Sequence, residues 1–265
     1  MTFQPRDYWE NRLKERCDLQ GVGFITLPAS FNRWMYRIRA FAFRDALARA
    51  GVDPSGQAVL DIGSGTGFYV RLWQQMGASS VVGADLTQTS VEYLSRTFPE
   101  SRFLRQDLGR PLEADLAALG PYPLVSAMDM LYHIIDEDSH ARALGNLARM
   151  MTPDGVLICS ENLYDTPRDM GHFRGRTQEV ILDRLRQAGL FLHQRRPMFV
   201  VGNNSVRGHC VWAQRTFREL SRMARLGTLP GWVAGAVAWL LDRALIPRTS
   251  QGCSTEILIL RKTPL

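Results

Sequence analysis

The chain has 265 residues, 45% of them hydrophobic, enough to bury a sizeable core as one domain with appendages, and it shows no internal repeat or low-complexity tract. Its four cysteines, Cys17, Cys159, Cys210 and Cys253, lie far apart without a Cys-x-x-Cys pair, so neither a zinc site nor a disulfide framework is expected and the thiols read as free and buried. The start lacks the apolar run of a signal peptide, and the longest apolar stretch, 231–241, falls short of the ~20 residues that a bilayer requires, so a cytoplasmic protein is expected. The formal net charge of +6 is uneven: +3 over 1–57, −5 over 58–160 and +8 over 161–265. Lys14 and Lys262 are the only lysines, and the arginine excess reads as codon composition rather than as a choice for anion binding.

Residues 7–18 read as a helix opened by the acid Asp7. A turn at 21–24 leads to a long helix over 31–50, with Trp34, Ile38, Phe41, Ala42 and Leu47 at helical spacing. From 57 onward strands and helices alternate: strand 58–62, helix 68–76, strand 80–84, helix 88–97, strand 102–106, a short helix near 112–119, strand 123–128, helix 137–151 and strand 155–160. Such alternation predicts right-handed crossovers and a parallel sheet covered on both faces. Ligands of open sheets of this kind sit beyond the carboxyl ends of the strands, where strand order reverses. Asp61, Asp85, Asp107, Met128 and Glu161 fall at or near those ends.

A helix over 177–188 closes on Gly189, and extended runs follow at 191–201 and 254–261. Between them lie roughly 50 residues, where a short hairpin would suffice. Inside this insertion Arg215, Arg218, Arg222 and Arg225 share one helix face, with Phe217, Leu220 and Ala224 on another. A mostly apolar helix over 231–247 carries Trp232 and Trp239 one heptad apart. Two readings stand. The insertion is a hairpin packed on the sheet domain or on a second subunit, or it is a roof over the substrate pocket that also meets something anionic or lipidic.

The most informative stretch runs from Ala58 to Gly67, Ala-Val-Leu-Asp-Ile-Gly-Ser-Gly-Thr-Gly. A short β-like run enters three glycines at spacing two, and a helical segment follows. Glycine tolerates positive φ and leaves no Cβ between backbone and ligand, so the turn reads as a nucleotide-type cradle. The spacing is not the Gly-x-Gly-x-x-Gly of dinucleotide sites, because Phe68 stands at the last glycine's place, and no Lys-Ser/Thr pair follows as in phosphate loops. Asp61 beside the cradle repels a pyrophosphate and attracts a cation. A ligand with a positive centre is favoured.

This stretch resembles the glycine motif of the class I S-adenosylmethionine-dependent methyltransferases. The resemblance spans about 57–262, and further blocks recur in order: 81–85 ending in Asp85, 103–108, 124–134, and the helix, turn and strand of 146–158. It implies S-adenosylmethionine as cofactor, held by Asp61, Gly63, Ser64, Gly65, Gly67, Asp85, Leu86, Gln106, Asp107, Leu108 and Met128, with no metal. Asp85 would take the ribose hydroxyls, the end of the third strand would face the adenine, and the segment after Met128 would pass the reacting methyl group. The implied fold is α/β and Rossmann-like: a doubly wound, seven-stranded, mostly parallel sheet with an antiparallel last strand. An N-terminal helical cap or lid (1–56) precedes the core (57–202 and 254–265), and a helical insertion (203–253) comes before the last strand.

Methyl transfer from a sulfonium is an in-line displacement on an activated carbon, so the protein mainly positions the reactants. A base is needed only where the acceptor must lose a proton. His133, beyond the fourth strand, and His172, in the polar loop 162–176, are the candidate catalytic residues, although His133 also reads as a buttress of its loop. Tyr36, Tyr132, Glu161 and Arg174 are the candidate acceptor contacts. Members of the family that methylate flipped bases carry Asn/Asp-Pro-Pro-Tyr/Phe where this chain has Met128-Asp129-Met130-Leu131, so DNA is not expected as substrate. The expected reaction is methylation of a small or carrier-linked acceptor, at a hydroxyl of a sugar, polyketide or lipid-like molecule. Carbon or nitrogen methylation and a non-catalytic cofactor-binding protein are the alternatives. Residues 211–247 are the candidate contact with a membrane surface or carrier protein, and a homodimer is the expectation for self-association.

Overall fold

Short strands buried on both faces condense into the centre of an α/β sandwich, and the computed structural model of the chain describes residues 3–264. The expected cap and the final core segment therefore extend beyond the described residues at 1, 2 and 265. In chain order the elements are α1 (Pro5–Glu15), α2 (Ala29–Arg49), β1 (Ala58–Ile62), α3 (Phe68–Gln75), β2 (Ser80–Asp85), α4 (Gln88–Thr97), β3 (Arg102–Arg105), α5 (Ala114–Ala117), β4 (Tyr122–Ala127), α6 (Glu137–Arg149) and β5 (Met151–Glu161). A two-residue hairpin, β6 (Arg168–Asp169) and β7 (Arg174–Gly175), precedes α7 (Gln178–Gln187), β8 (Phe191–Pro197), α8 (Val211–Ala224), α9 (Thr228–Leu245) and β9 (Glu256–Arg261).

The main sheet has seven strands in the order β3-β2-β1-β4-β5-β9-β8. The first five pair in parallel, and β9 runs antiparallel to both neighbours. This is the doubly wound sheet that the alternation predicts. Successive side chains of β1 serve opposite cores, Val59 on the side of α2, α3 and α9 and Leu60 on the side of α6 and α7. The chain winds outward from β1 to β3 and returns to β4 on β1's other side, so the strand order reverses between β1 and β4.

Several boundaries differ from the sequence reading for identifiable reasons. Pro5 opens α1 and Asp7 lies inside its first turn rather than at its cap. The Thr-Pro-Asp-Gly at 152–155 does not separate α6 from β5. It is absorbed as a bulge, since Tyr122 pairs with Met151 and Leu124 already with Val156. The run at 191–201 leaves the sheet at Pro197 because the amides of Val200, Val201 and Gly202 bind the Asp242 carboxylate of α9 instead. Cys210 and Cys253, expected as free thiols, are joined in a disulfide, with Cα atoms 5.7 Å apart. The two ends of the insertion meet there, a closure that a separation of 43 residues does not announce. Cys17 and Cys159 are free.

The insertion is a helical hairpin that packs on α2. Trp34 of α2 packs against Trp232 and Trp239 at ring distances of 5.4 and 5.6 Å, and Gly231 and Gly235 bring α9 close to Pro28 and Trp34. Pro230 fits the first turn of α9, so the helix begins at Thr228 and with the following 3-10 turn reaches Arg248. With a mean hydropathy of 1.3 over its most apolar window, a third of it buried, this segment is long and apolar enough to cross a membrane by length and composition. That corrects the reading that its apolar stretch is too short.

Candidate functional site

The carboxyl ends of β1, β2 and β4 open on a cavity of about 1040 Å³, at the top of the roughly 300–1,000 Å³ range of ligand sites. Its wall is drawn from residues 3–142: α1, Val22 and Tyr36, the glycine turn, the ends of β2 and β3, and the segment after β4. Gly63, Gly65 and Gly67 have φ values of 74°, 54° and 79°, the left-handed region that L side chains avoid. A Cβ on Gly67 would collide with the Phe98 ring, and one on Gly63 would lie 2.8 Å from Met130. Gly67 is the N-cap of α3 and lies outside the wall.

Asp85, at the end of β2, organises the turn. One oxygen accepts the Gly65 amide at 2.9 Å and the other the amide and hydroxyl of Thr87 at 2.9 and 2.8 Å, and the carboxylate borders the cavity. Burial pushes its pKa up. Asp61 lies one layer behind the wall. The register sets it opposite Ser126 of β4, whose hydroxyl donates to Oδ1 while itself accepting Trp73 Nε1 at 2.9 Å. Asp61 Oδ2 is buried without a partner, and burial pushes the carboxyl up to about 7. Ser64, Leu86, Asp107, Leu108 and Met128 line the cavity. Gln106 does so too, but its amide is taken up locally by Asp107, Pro111 and Glu113.

At the β4 end the wall is aromatic and charged. Asp129 has φ 56°, a conformation that a non-glycine residue holds only where its surroundings impose it. Here they do: its amide donates to Ser160 Oγ at 2.6 Å, and its carboxylate accepts Arg39 Nε at 2.8 Å and the hydroxyls of Tyr69 and Tyr132 at 3.3 and 3.2 Å. Tyr36 lines the cavity, its phenol pushed up to about 12 by burial. His133 stands under Trp9 at a ring distance of 4.8 Å. Its Nδ1 lies 3.0 Å from the His172 carbonyl. A carbonyl oxygen only accepts, so Nδ1 carries the proton and Nε2 keeps the lone pair. Burial pushes the imidazole down to about 4.

The remaining candidates stand outside the wall. His172 is packed behind His133, stacked on Tyr8 at 5.6 Å. Tyr132 is held by Asp129. Arg174 is engaged by Glu137 and Asp169 at 3.2 and 2.8 Å. Glu161 is buried, its Oε1 3.7 Å from His140 Nε2 with neither atom hydrogen-bonded. Asp129 and Trp9 are among the wall residues that the sequence reading did not select as site residues. The rule that singled out Asp85, an acid at a strand's carboxyl end, applies equally to Asp129.

The N-terminal segment is tied down by two side chains of α1. Glu10 caps α4 from outside, accepting the Gln88 amide at 2.8 Å and the Thr89 hydroxyl at 2.6 Å, and Arg12 donates to the carbonyls of Gly21 and Gly23 at 2.5 and 2.8 Å. Among the described residues no three His, Cys, Asp or Glu side chains gather as a metal site would require.

Residues 31–222 match a family whose description is "Methyltransferase domain". The chain belongs to this family. The methyltransferase domain is 34% identical over 106 residues to the malonyl-[acyl-carrier protein] O-methyltransferase of Pectobacterium atrosepticum, an alignment covering 39% of this chain and 38% of that protein. It is 29% identical over 110 residues to the ubiquinone biosynthesis O-methyltransferase of Neisseria meningitidis, covering 41% and 45%. The chain thus spans less than half the length of the curated relatives it matches. Among solved structures it resembles the magnesium protoporphyrin IX methyltransferase of Synechocystis, with a TM-score of 0.56, 16% identity and 96% of each chain covered. At that identity the likeness concerns the fold, which is the Rossmann-like fold of class I methyltransferases.

Proposed function

We propose that the protein is an S-adenosylmethionine-dependent methyltransferase acting at oxygen on a small or carrier-linked acceptor in the cytoplasm. The observation that carries this reading is Asp85: a carboxylate at the end of β2, bound to the glycine turn and bordering a cavity large enough for a cofactor and an acceptor together. The donor set fits S-adenosylmethionine. Asp85 and Asp107 border the cavity and suit hydroxyls and an amino group, Asp61 braces the glycine turn from behind, its carbonyl accepting the Ser64 hydroxyl at 2.8 Å, and the glycine turn has no lysine or arginine for a pyrophosphate. Bound S-adenosylmethionine supplies an electrophilic methyl group on a sulfonium. The chain's part is to hold cofactor and acceptor in line under α1, exclude water with Trp9 and Tyr36, and orient the acceptor oxygen near Asp129 and His133.

One observation separates two acceptor chemistries. A neutral hydroxyl needs a base near the operating pH, but His133 is pushed down to about 4 and Asp129 is bound by Arg39. This favours an acceptor oxygen that arrives already ionised, a carboxylate or an acidic phenol, over the sugar-type hydroxyl expected from the sequence. The relatives named as O-methyltransferases of malonyl-carrier protein and ubiquinone biosynthesis support oxygen as the target.

Calorimetric titration of S-adenosylmethionine, S-adenosylhomocysteine and NAD tests the reading. The two sulfur compounds are expected to saturate the protein, NAD is not, and Asp85→Ala is expected to weaken binding about 100-fold through lost charged hydrogen bonds. Absence of binding by folded protein refutes the proposal.

A further inference from the structure

We propose that the α8–α9 hairpin is a docking face that lays the protein on an anionic lipid surface. Most of the large apolar side chains exposed on the molecule belong to this hairpin. Leu226 and Leu229 are 78% and 73% exposed, and Trp232, Val233, Leu240 and Leu241 continue the stripe along α9. From Leu229 to Leu241, within α9, it is about 18 Å long at 1.5 Å per residue. Contiguous apolar surface of this kind marks a contact site.

Charge decides the occupant. α9 packs between α2 and α8, and both carry exposed arginines: Arg218, Arg222 and Arg225 with α8, Arg33 and Arg37 on α2. Arg37 stacks on Trp34 at 4.2 Å, and Trp34 in turn meets Trp232. An apolar stripe bordered on both sides by arginines, with Trp212 and Trp232 half-exposed, has the chemistry of a helix lying in a lipid headgroup layer. A second copy of the chain would bring the same positive borders against these. An acidic carrier protein matches the arginines but not a straight apolar stripe of this length.

Spanning the bilayer is ruled out by Asp242. Its buried carboxylate accepts the amides of Val200, Val201 and Gly202 at 3.0, 2.7 and 3.0 Å and fastens the C-terminal part of α9 to the domain, as the Cys210–Cys253 disulfide fastens the base of the hairpin. The hairpin therefore lies on the membrane and stays folded onto α2, the helix that carries Tyr36 into the cavity. The cavity is then held at the surface where an amphiphilic acceptor resides.

The test is co-sedimentation of the full chain with vesicles of phosphatidylcholine alone or with about a third phosphatidylglycerol, at low and high salt. Binding to the anionic vesicles is expected to exceed binding to neutral ones roughly tenfold or more, to fall with salt and to blue-shift tryptophan emission. Leu229→Glu with Leu240→Glu, and separately Arg218→Glu with Arg222→Glu, are each expected to lower it about tenfold or more without moving the melting temperature or S-adenosylmethionine affinity. Equal recovery with both vesicle types overturns the proposal. So does capture by an acidic acyl carrier protein with no vesicle binding, or a dimer in solution that Leu229→Glu dissolves.

Discussion

In the cavity wall the polar groups at the strand ends are committed to the fold: Asp85 holds Gly65 and Thr87, Gln106 holds its own loop, and Asp129 gathers Arg39, Tyr69 and Tyr132. The exposed faces of α8 and α9 do the reverse. Apart from the Arg222–Glu219 pair and Arg243, which stacks on Phe41 and Trp239, their arginines are exposed without an acidic partner, and Leu226, Leu229 and Leu240 stand largely in solvent. One region is preorganised around a small ligand, and the other is an unfilled surface. Substitution should therefore act through folding in the first and through association in the second.

The largest expected difference comes from pairing Gly67→Ala with Leu240→Ser. At Gly67 an alanine must hold φ 79°, costing about 1–2 kcal/mol, and its Cβ must displace the buried Phe98 and Leu94. Together these are expected to cost about 3 kcal/mol or more. Leu240, 59% exposed, is expected to change stability by no more than about 0.5 kcal/mol. Denaturant titration of both variants reads the contrast directly. A Gly67→Ala protein as stable as wild type would mean that the turn is not held in this conformation.

The two regions were also unequally legible in the sequence. The wall's main features follow from local rules: glycines where φ is positive, an acid where a strand ends, and alternation that places those ends side by side. Asp129 obeys the same strand-end rule, but its left-handed backbone and its tie to Arg39, 90 residues away, are not written locally. Glu10 escaped because it caps a helix in another part of the chain. In the insertion, spacing revealed a helix with an arginine face and a second, mostly apolar helix, but their destination was open. Trp34 read as one apolar position at helical spacing, and the close approach of Gly231 and Gly235 to α2 sets it against α9. The Cys210–Cys253 closure likewise exists only once the insertion folds back on itself.

A smaller effect sharpens what the wall does chemically. His133→Gln keeps a polar side chain under Trp9 and removes the imidazole. If the acceptor oxygen arrives ionised, kcat is expected to stay within about tenfold of wild type with an unchanged pH profile, whereas a base for a neutral hydroxyl would cost 10²–10⁴-fold, roughly. Steady-state rates across the neutral range decide it, and a loss of the larger size would restore the hydroxyl acceptor. The hairpin variants serve as controls, since they are expected to leave the soluble reaction untouched.

The last expected effect is read by its sign. Asp61 is pushed up from 3.8 to about 7 by burial, so between those values the folded chain keeps a proton that the unfolded chain has released. Its contribution to stability is present below the lower value and is lost as pH rises through the window. Asp61→Asn cannot titrate. Its melting temperature relative to wild type is therefore expected to climb from about pH 4 to about pH 8, while that of the Arg218→Glu, Arg222→Glu hairpin variant shows no such trend. His133 and Asp242 also titrate, but both are present in each protein and drop out of the difference. A relative melting temperature that falls with pH would mean that Asp61 is ionised in the fold, with Oδ2 bound to a donor.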